Sequence, residues 1–164
     1  MQQDHRESLQ AIARESTAHI SRNLRRVVDK LQIARAGGAE LDALIDKSLG
    51  AIRRVYGPCL NGSFPAHAAA GWSHNLAAAL TALPENYNFS VGQRDGICWA
   101  WLQPNDDWQP GDFEARHDHP GGSGLVVAYT AALALIAAAL LLYTGLLETN
   151  AKLDATPAHP RLSQ

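Results

Sequence analysis

Residues Leu125–Leu147 have the sequence LVVAYTAALALIAAALLLYTGLL, a stretch of 23 residues without a charge. A stretch of this length and polarity is long enough to cross a bilayer as one helix. In that interpretation the protein is tail-anchored, with a membrane span over 125–147 and a cytosolic N-terminal domain. The alternative interpretation divides the stretch into a short strand, 125–129, and a helix, Ala131–Leu147, with Thr130 as its N-cap. A helix that is apolar on every side also suits the centre of a small domain, and we favour this interpretation while the first stays open.

The composition is that of a single globular domain with nearly balanced charge. The chain has 164 residues, and 14 basic against 16 acidic side chains give a formal net charge of −2. This length buries a core without disulfides or metals, and the charge gives no sign of nucleic-acid binding. The charge is uneven, because residues 1–56 carry ten basic and seven acidic residues, a net of +3. Two cysteines do not make a disulfide scaffold, and no secretory signal is recognised, so we expect reduced thiols and a cytoplasmic location.

Two amphipathic helices are predicted over residues 1–56. Apolar residues recur at spacings of three and four from Leu9 to Leu31 and again from Leu41 to Val55. Gly37-Gly38 separates the two helices, since glycine tolerates the left-handed conformation of a helix C-cap. A short link of this kind predicts a helical hairpin. Its outer surface is expected to carry basic side chains, namely Arg22, Arg25, Arg26, Lys30, Arg53 and Arg54.

The remainder is predicted to hold a connector, an α/β unit and a tail. Residues 57–71 are rich in Gly, Pro, Asn and Ala, which is typical of a connector. Residues 72–147 form the second unit, which begins with a helix over Ser73–Leu83, capped by its first residue and stopped by Pro84. Residues 148–164 contain two prolines and are expected to be a mobile tail.

A β-hairpin is predicted in the middle of the second unit. Apolar and polar residues alternate from Tyr87 to Val91, and a second alternating run extends from Ile97 to Leu102. Gly92–Gly96 is the predicted turn between them. The predicted fold class is therefore α+β, with an N-terminal helical pair followed by a small antiparallel sheet of two or three strands packed against two helices.

Catalytic and metal-binding patterns are weak in this chain. The segment around Cys98 resembles the Cys-Trp-Ala-Phe element of papain-type proteases, but such a cysteine needs a helix N-terminus and a histidine partner. The alternating pattern instead predicts that Cys98 is a small buried side chain in a strand. The remaining metal-ligand types, His67, His74, His117, His119 and Cys59, have neither zinc-finger nor HExxH spacing. We therefore predict a protein with no catalytic, cofactor-binding or metal-binding residues.

Several short motifs, in order, resemble a small protein family that is common in bacteriophage and prophage genomes of proteobacteria. The motifs span roughly residues 28–142 and are Leu31-x-x-Ala34, Glu40-Leu41-Asp42-Ala43, Asn75–Leu80 with Leu83-Pro84, Phe89–Gly92, Trp99–Leu102 and Thr130–Leu140. The resemblance implies a bacterial host and a phage or prophage origin, and it implies no reaction. In that family the last helix packs on a small sheet and ends in basic residues, whereas Leu141-Leu142-Tyr143 occupies that place here.

Tryptophans are concentrated in the second half of the chain and suggest a binding surface. Trp99 and Trp101 share one face of a predicted strand, and this face is expected to pack on the Ser73–Leu83 helix or on the final helix. Exposed aromatic residues are also typical of protein interfaces. The predicted partner-binding surface comprises Trp99, Trp101 and Trp108, together with Arg22, Arg25 and Arg26 of the first helix. From this we expect a non-enzymatic phage or prophage accessory protein that binds an unknown protein partner or associates with itself.

Overall fold

The computed structural model describes residues 2–56, 71–84, 87–105 and 122–155, and the fold of these residues is α+β. As predicted, two N-terminal helices precede a small antiparallel sheet that packs against helices. The helices are α1 (Gln2–Ile33), α2 (Ala39–Tyr56), α3 (Leu76–Leu80) and α4 (Ala131–Ala155), and the strands are β1 (Tyr87–Arg94), β2 (Ile97–Pro104) and β3 (Val126–Ala128). The predicted connector lies outside the described residues, apart from Gly71 at its end.

The sheet has the strand order β1-β2-β3, and both pairs of strands are antiparallel. β1 and β2 form a hairpin that stays paired up to Arg94 and Ile97. Its turn is the two residues Asp95 and Gly96, with φ of 54° and 77°, the conformation that Asp-Gly favours in a type I′ turn. The predicted turn, Gly92–Gly96, was therefore too wide.

Helix α4 is the centre of the core. Its side chains from Ala132 to Leu140 are all buried. They pack against one face of the sheet and against the other three helices. Three consecutive alanines at 137–139 are fully buried, and their small size allows neighbouring elements to approach the helix closely. The core residues contributed by the other elements include Leu24, Val28, Leu31, Ile45, Ile52, Ala79, Cys98, Ala100, Leu102 and Val126.

The described part of the chain holds one helix that is long and apolar enough to cross a membrane, over Ala131–Thr149, with a mean hydropathy of 2.0. Within the fold, 72% of its 18-residue apolar window is buried. The short strand and the helix of the second interpretation are both present, and Thr130 caps the helix by accepting a hydrogen bond from the Leu133 amide at 3.2 Å. The helix ends at Ala155 rather than at the predicted Leu147.

The later end of α4 has a physical explanation in its contacts with α1. Glu148, just beyond the predicted end, accepts hydrogen bonds from Ser21 and Arg25 of α1. Near the other end of α1, Gln32 donates to the carbonyl of Val127, which lies just before α4 begins. Helices α1 and α4 are therefore antiparallel, and their contact holds the turn that was assigned to the tail.

The predicted helix over Ser73–Leu83 is shorter than expected, because Asn75 and not Ser73 is its N-cap. The Asn75 side chain accepts the Ala78 amide at 3.3 Å, and α3 begins at Leu76. The Ser73 hydroxyl instead accepts the Gly38 amide at 2.9 Å. Ser73 therefore binds the link between α1 and α2 instead of capping α3.

Candidate partner-binding surface

The sheet has an apolar surface on the side away from α4. In β2, Cys98, Ala100 and Leu102 belong to the core, and because side chains alternate along a strand, Ile97, Trp99 and Trp101 point the other way. In β3, Val126 and Ala128 are buried, whereas Leu125, Val127 and Tyr129 are 40–47% exposed. Trp99 pairs with Val127 across the two strands, so both sets lie on one side. We call this surface the outer face; it comprises Ile97, Trp99, Trp101, Leu125, Val127 and Tyr129.

Trp99 and Trp101 form a stacked pair on the outer side of the sheet, where Trp99 is partly exposed and Trp101 is buried, with an exposed fraction of 3%. Their ring centroids are 5.0 Å apart and the planes differ by 12°. The Trp99 ring lies over Gly92 of β1, where a Cβ atom would overlap the ring, so only glycine leaves room for it. The prediction that the two tryptophans share a face is confirmed. The prediction that this face packs on a helix was wrong, because α4 covers the opposite face.

Cationic side chains lie at the edges of the outer face. The guanidinium of Arg35 is 5.5 Å from the centroid of the Tyr129 ring, within the range of a cation–π interaction. Arg94 and Asp95 form an exposed ion pair at the tip of the hairpin, with 3.6 Å between Nε and Oδ2. The surface therefore has an apolar and aromatic centre with charged groups at its rim, which is the usual arrangement at protein interfaces.

The arginines predicted to take part in binding lie elsewhere. Arg22 and Arg26 are exposed on α1, and along the helix axis they lie about 15 Å and about 9 Å from Gln32, which reaches β3. Arg25 is bound to Glu148, with both carboxylate oxygens 3.0 Å from its Nη2. The structure does not bring these arginines to Trp99 and Trp101, and Trp108 lies outside the described residues.

The Arg25–Glu148 pair is expected to contribute modestly to stability. The two side chains are 53% and 40% exposed, so solvent screens them, and a double-mutant cycle with Arg25→Ala and Glu148→Ala should give a coupling of about 0.2–1 kcal/mol. Thermal unfolding at low and high salt would measure this coupling, which should shrink as salt is added. A coupling of zero at low salt would show that the pair does not link α1 to α4 in solution.

Cys98 lies on the inner side of the sheet and is buried. Its thiol is 3.9 Å from the carbonyl of Tyr129, and a strand, not a helix N-terminus, carries it. This environment fits the predicted small buried side chain. At the far end of β1, burial raises the pKa of the Tyr87 hydroxyl above its ordinary value. His67, His117, His119 and Cys59 lie outside the described residues, and the described residues contain no group of three metal-ligating side chains.

A groove of about 740 Å³ runs along α2 beside the turn before α3, and its lining includes the charged or titratable residues Asp42, Asp46, Lys47, Arg54 and His74. The Asp42 carboxylate accepts the Ser73 amide at 2.7 Å and lies 3.5 Å from the His74 ring nitrogen Nδ1. Asp46 accepts a long hydrogen bond of 3.4 Å from the Trp72 indole. Both carboxylates thus hold the 71–75 turn on α2, and this structural role explains why acidic residues line the groove.

Sequence reasoning missed the part of the outer face that β3 contributes. The signal was present, since 125–129 has apolar residues at five consecutive positions. A strand that is apolar on both sides is typical of a sheet that is covered on both faces. The pattern fits a buried core strand or part of a membrane span, and it does not show how many faces of the sheet are covered by helices, so it does not predict an exposed apolar face.

Comparisons with known protein families, with curated proteins and with solved structures find no match to this chain.

Proposed function

We propose that this protein is a non-enzymatic binding protein that docks a protein partner on the outer face. The observation that carries the proposal is the sheet itself, which is apolar on both sides, whereas among the described helices α4 covers one side. Four large apolar side chains of the outer face, Ile97, Leu125, Val127 and Tyr129, are each 40–47% exposed. Contiguous apolar surface of this kind is typical of interaction sites in soluble proteins.

The composition of the outer face supports a protein partner. Interface centres are enriched in aromatic residues and arginine and depleted in lysine and acidic residues. The outer face offers the partly exposed rings of Trp99 and Tyr129, with Arg35 beside Tyr129 at its rim, while Trp101 is buried and supports Trp99 by stacking. A partner surface with apolar side chains at its centre and a carboxylate near Arg35 would complement it. The resemblance to phage and prophage accessory proteins supplies the biological setting that we propose, in the cytoplasm of a bacterial host.

Charged substitutions on the outer face are expected to weaken partner binding without unfolding the protein. Ile97→Lys and Val127→Glu each place a charge that must be desolvated in the complex, and we expect at least about a tenfold loss of affinity. The tagged full-length chain would be used to retain proteins from a proteobacterial lysate, and the retained protein would then be purified and titrated by calorimetry.

Leu76→Glu is the matched control for these variants. Leu76 is 41% exposed, and it lies on α3, which packs against α4 on the other side of the sheet. The control should retain the same protein with the affinity of the unmodified chain. Equal binding by Ile97→Lys and Val127→Glu would contradict docking on the outer face.

A tail-anchored membrane protein is the second candidate function. The apolar length of Ala131–Thr149 favours it, and the span would place the N-terminal domain in the cytosol with the anchor in the inner membrane. Against it stands the energetic cost of removing α4 from the core, which would expose the inner side of the sheet and the apolar stripes of α1 and α2 to water. We therefore place it second.

A further inference from the structure

Strand β1 forms one edge of the sheet, and within residues 2–56, 71–84, 87–105 and 122–155 none of the usual devices protects this edge. It is eight residues long, and among the described elements it packs chiefly against β2 and α4. Edge strands commonly carry lysine, proline or a bulge that prevents further strand pairing. β1 has no charge or proline from Tyr87 to Gln93 and keeps an unbroken register with β2 over its whole length.

The backbone groups that point outward from this edge can be identified. Leu102 of β2 uses both its amide and its carbonyl to bond Ser123 on the β3 side. The even-numbered residues of β2 therefore direct their backbone groups toward β3, and the odd-numbered ones toward β1. Each odd residue of β2 pairs with an even residue of β1. The amides and carbonyls of Tyr87, Phe89, Val91 and Gln93 consequently face away from the sheet.

Phe89 provides an apolar contact at the same edge. It pairs with Leu102 and so lies on the α4 side of the sheet, yet it is 48% exposed. Its neighbour Val91, two positions along, is packed against the core. An added strand beside β1 would cover the exposed part of the Phe89 ring while it bonds the outward backbone groups.

We propose that β1 pairs with β1 of a second copy of this chain, in antiparallel orientation, to give a continuous six-stranded sheet. A two-fold axis perpendicular to the sheet would pass beside Ser90. The α4 helices of the two copies would then lie on the same side of the joined sheet.

The geometry of strand pairing selects this register. Directly opposed residues in an antiparallel pair have side chains on the same side, so an odd residue must face an odd residue across the axis. Pairing about Ser90 overlaps residues 87–93 and places Phe89 opposite Val91 of the partner subunit. The outward groups of the four odd residues then form about eight hydrogen bonds.

The lack of charge along β1 allows a second copy of the same strand to pair with this edge. Within the overlap of residues 87–93 neither strand carries a charge, and Arg94 lies just outside it, so no like charges oppose each other. The surface used is the edge of β1, whereas the proposed function uses the outer face around β2 and β3. The two proposals are therefore independent, and either can fail alone.

A disulfide scan tests both the pairing and its register. Opposed residues without mutual hydrogen bonds have Cα atoms about 4.5 Å apart, which lies within the range of a disulfide. With Cys59→Ser as background, Ser90→Cys should form a disulfide-linked dimer under mild oxidation. Asn88→Cys is the matched control on the same side of the same strand, and it should stay unlinked because the two copies of position 88 would be about 14 Å apart.

Sedimentation equilibrium at high micromolar concentration supplies the second arm of the test. The unmodified chain and Ile97→Lys should sediment with twice the mass of one chain, and Phe89→Lys should sediment as a monomer. Gln93→Pro removes one outward amide but no bond to β2, and it should also be monomeric, which covers the case that Phe89→Lys folds poorly. A monomeric unmodified chain, a dimer that persists in both edge variants, or equal linking of Asn88→Cys and Ser90→Cys would overturn the proposal.

Discussion

Replacing Gly37 by alanine is expected to destabilise the fold by about 1–3 kcal/mol, the usual cost of forcing extra atoms into a packed site. A Cβ atom at this position would overlap the carbonyl oxygen of Ser73 and lie 2.5 Å from its carbonyl carbon. Both atoms belong to the backbone, so no rotamer change relieves the contact. The 71–75 turn would have to move away from the link between α1 and α2.

That movement would break the bonds which hold the turn in place. The Gly38 amide bonds the Ser73 hydroxyl, and the Ser73 amide bonds the carboxylate of Asp42 at 2.7 Å. Both hydrogen bonds are partly buried, and Ser73 itself is fully buried, so the loss of its partners is costly. Urea unfolding followed by circular dichroism would measure the loss in free energy of unfolding.

Gly38→Ala is the control for this change. A Cβ atom there meets nothing within 4 Å, and Gly38 is not among the glycines with positive φ. Alanine lowers the entropy of the unfolded chain but is a slightly poorer N-cap for α2, so the net change should be within about 0.5 kcal/mol. Equal effects of the two substitutions would contradict a close approach at Gly37.

The glycine pair illustrates how much of the fold the sequence predicts. Gly37-Gly38 correctly marks the link between the two helices and the start of α2 at Ala39, although α1 already ends at Ile33. The reason assigned to it was wrong, since neither glycine has a left-handed φ. The need for glycine at position 37 comes from Ser73, which is 36 positions away in the chain, and such a contact leaves no local pattern. Local periodicity thus predicts elements and their order, while close tertiary contacts stay hidden.

For the strands and the candidate surface, too, the sequence predicts the local elements but not their tertiary contacts. Alternation from Tyr87 to Leu102 predicts the hairpin and places the two tryptophans on one side. Which side α4 covers depends on whether small residues or tryptophans fit against an alanine-rich helix. Cys98 and Ala100 lie against α4, and their small size permits an approach that indole rings would prevent. Because α4 packs on the side of the small residues, the tryptophans lie on the opposite side. The outer face can therefore be recognised only from the three-dimensional structure.

Replacing Ala138 by leucine is expected to lower the stability by about 1–3 kcal/mol, although it makes α4 more apolar. The alanines at 137–139 are fully buried, so three additional carbon atoms have no space and would push α4 away from its neighbours. For a domain of this size the melting temperature should fall by roughly 2–12 °C. Thermal unfolding of the detergent-free protein measures the effect.

Gly145→Ala in the same helix makes this experiment discriminate between the two functions. Gly145 is exposed and a Cβ atom there meets nothing within 4 Å, so alanine should stabilise the helix by about 0.5–1 kcal/mol. Both substitutions raise the hydropathy of α4, and a membrane span would tolerate or favour both of them. If α4 is a core helix, Ala138→Leu should lower the free energy of unfolding and Gly145→Ala should raise it. Both variants should also be recovered in the soluble fraction without detergent. Recovery of the unmodified chain and both variants only in detergent-extracted membranes would contradict the core assignment and favour the anchored protein, because α4 cannot fill the core and span a bilayer at the same time.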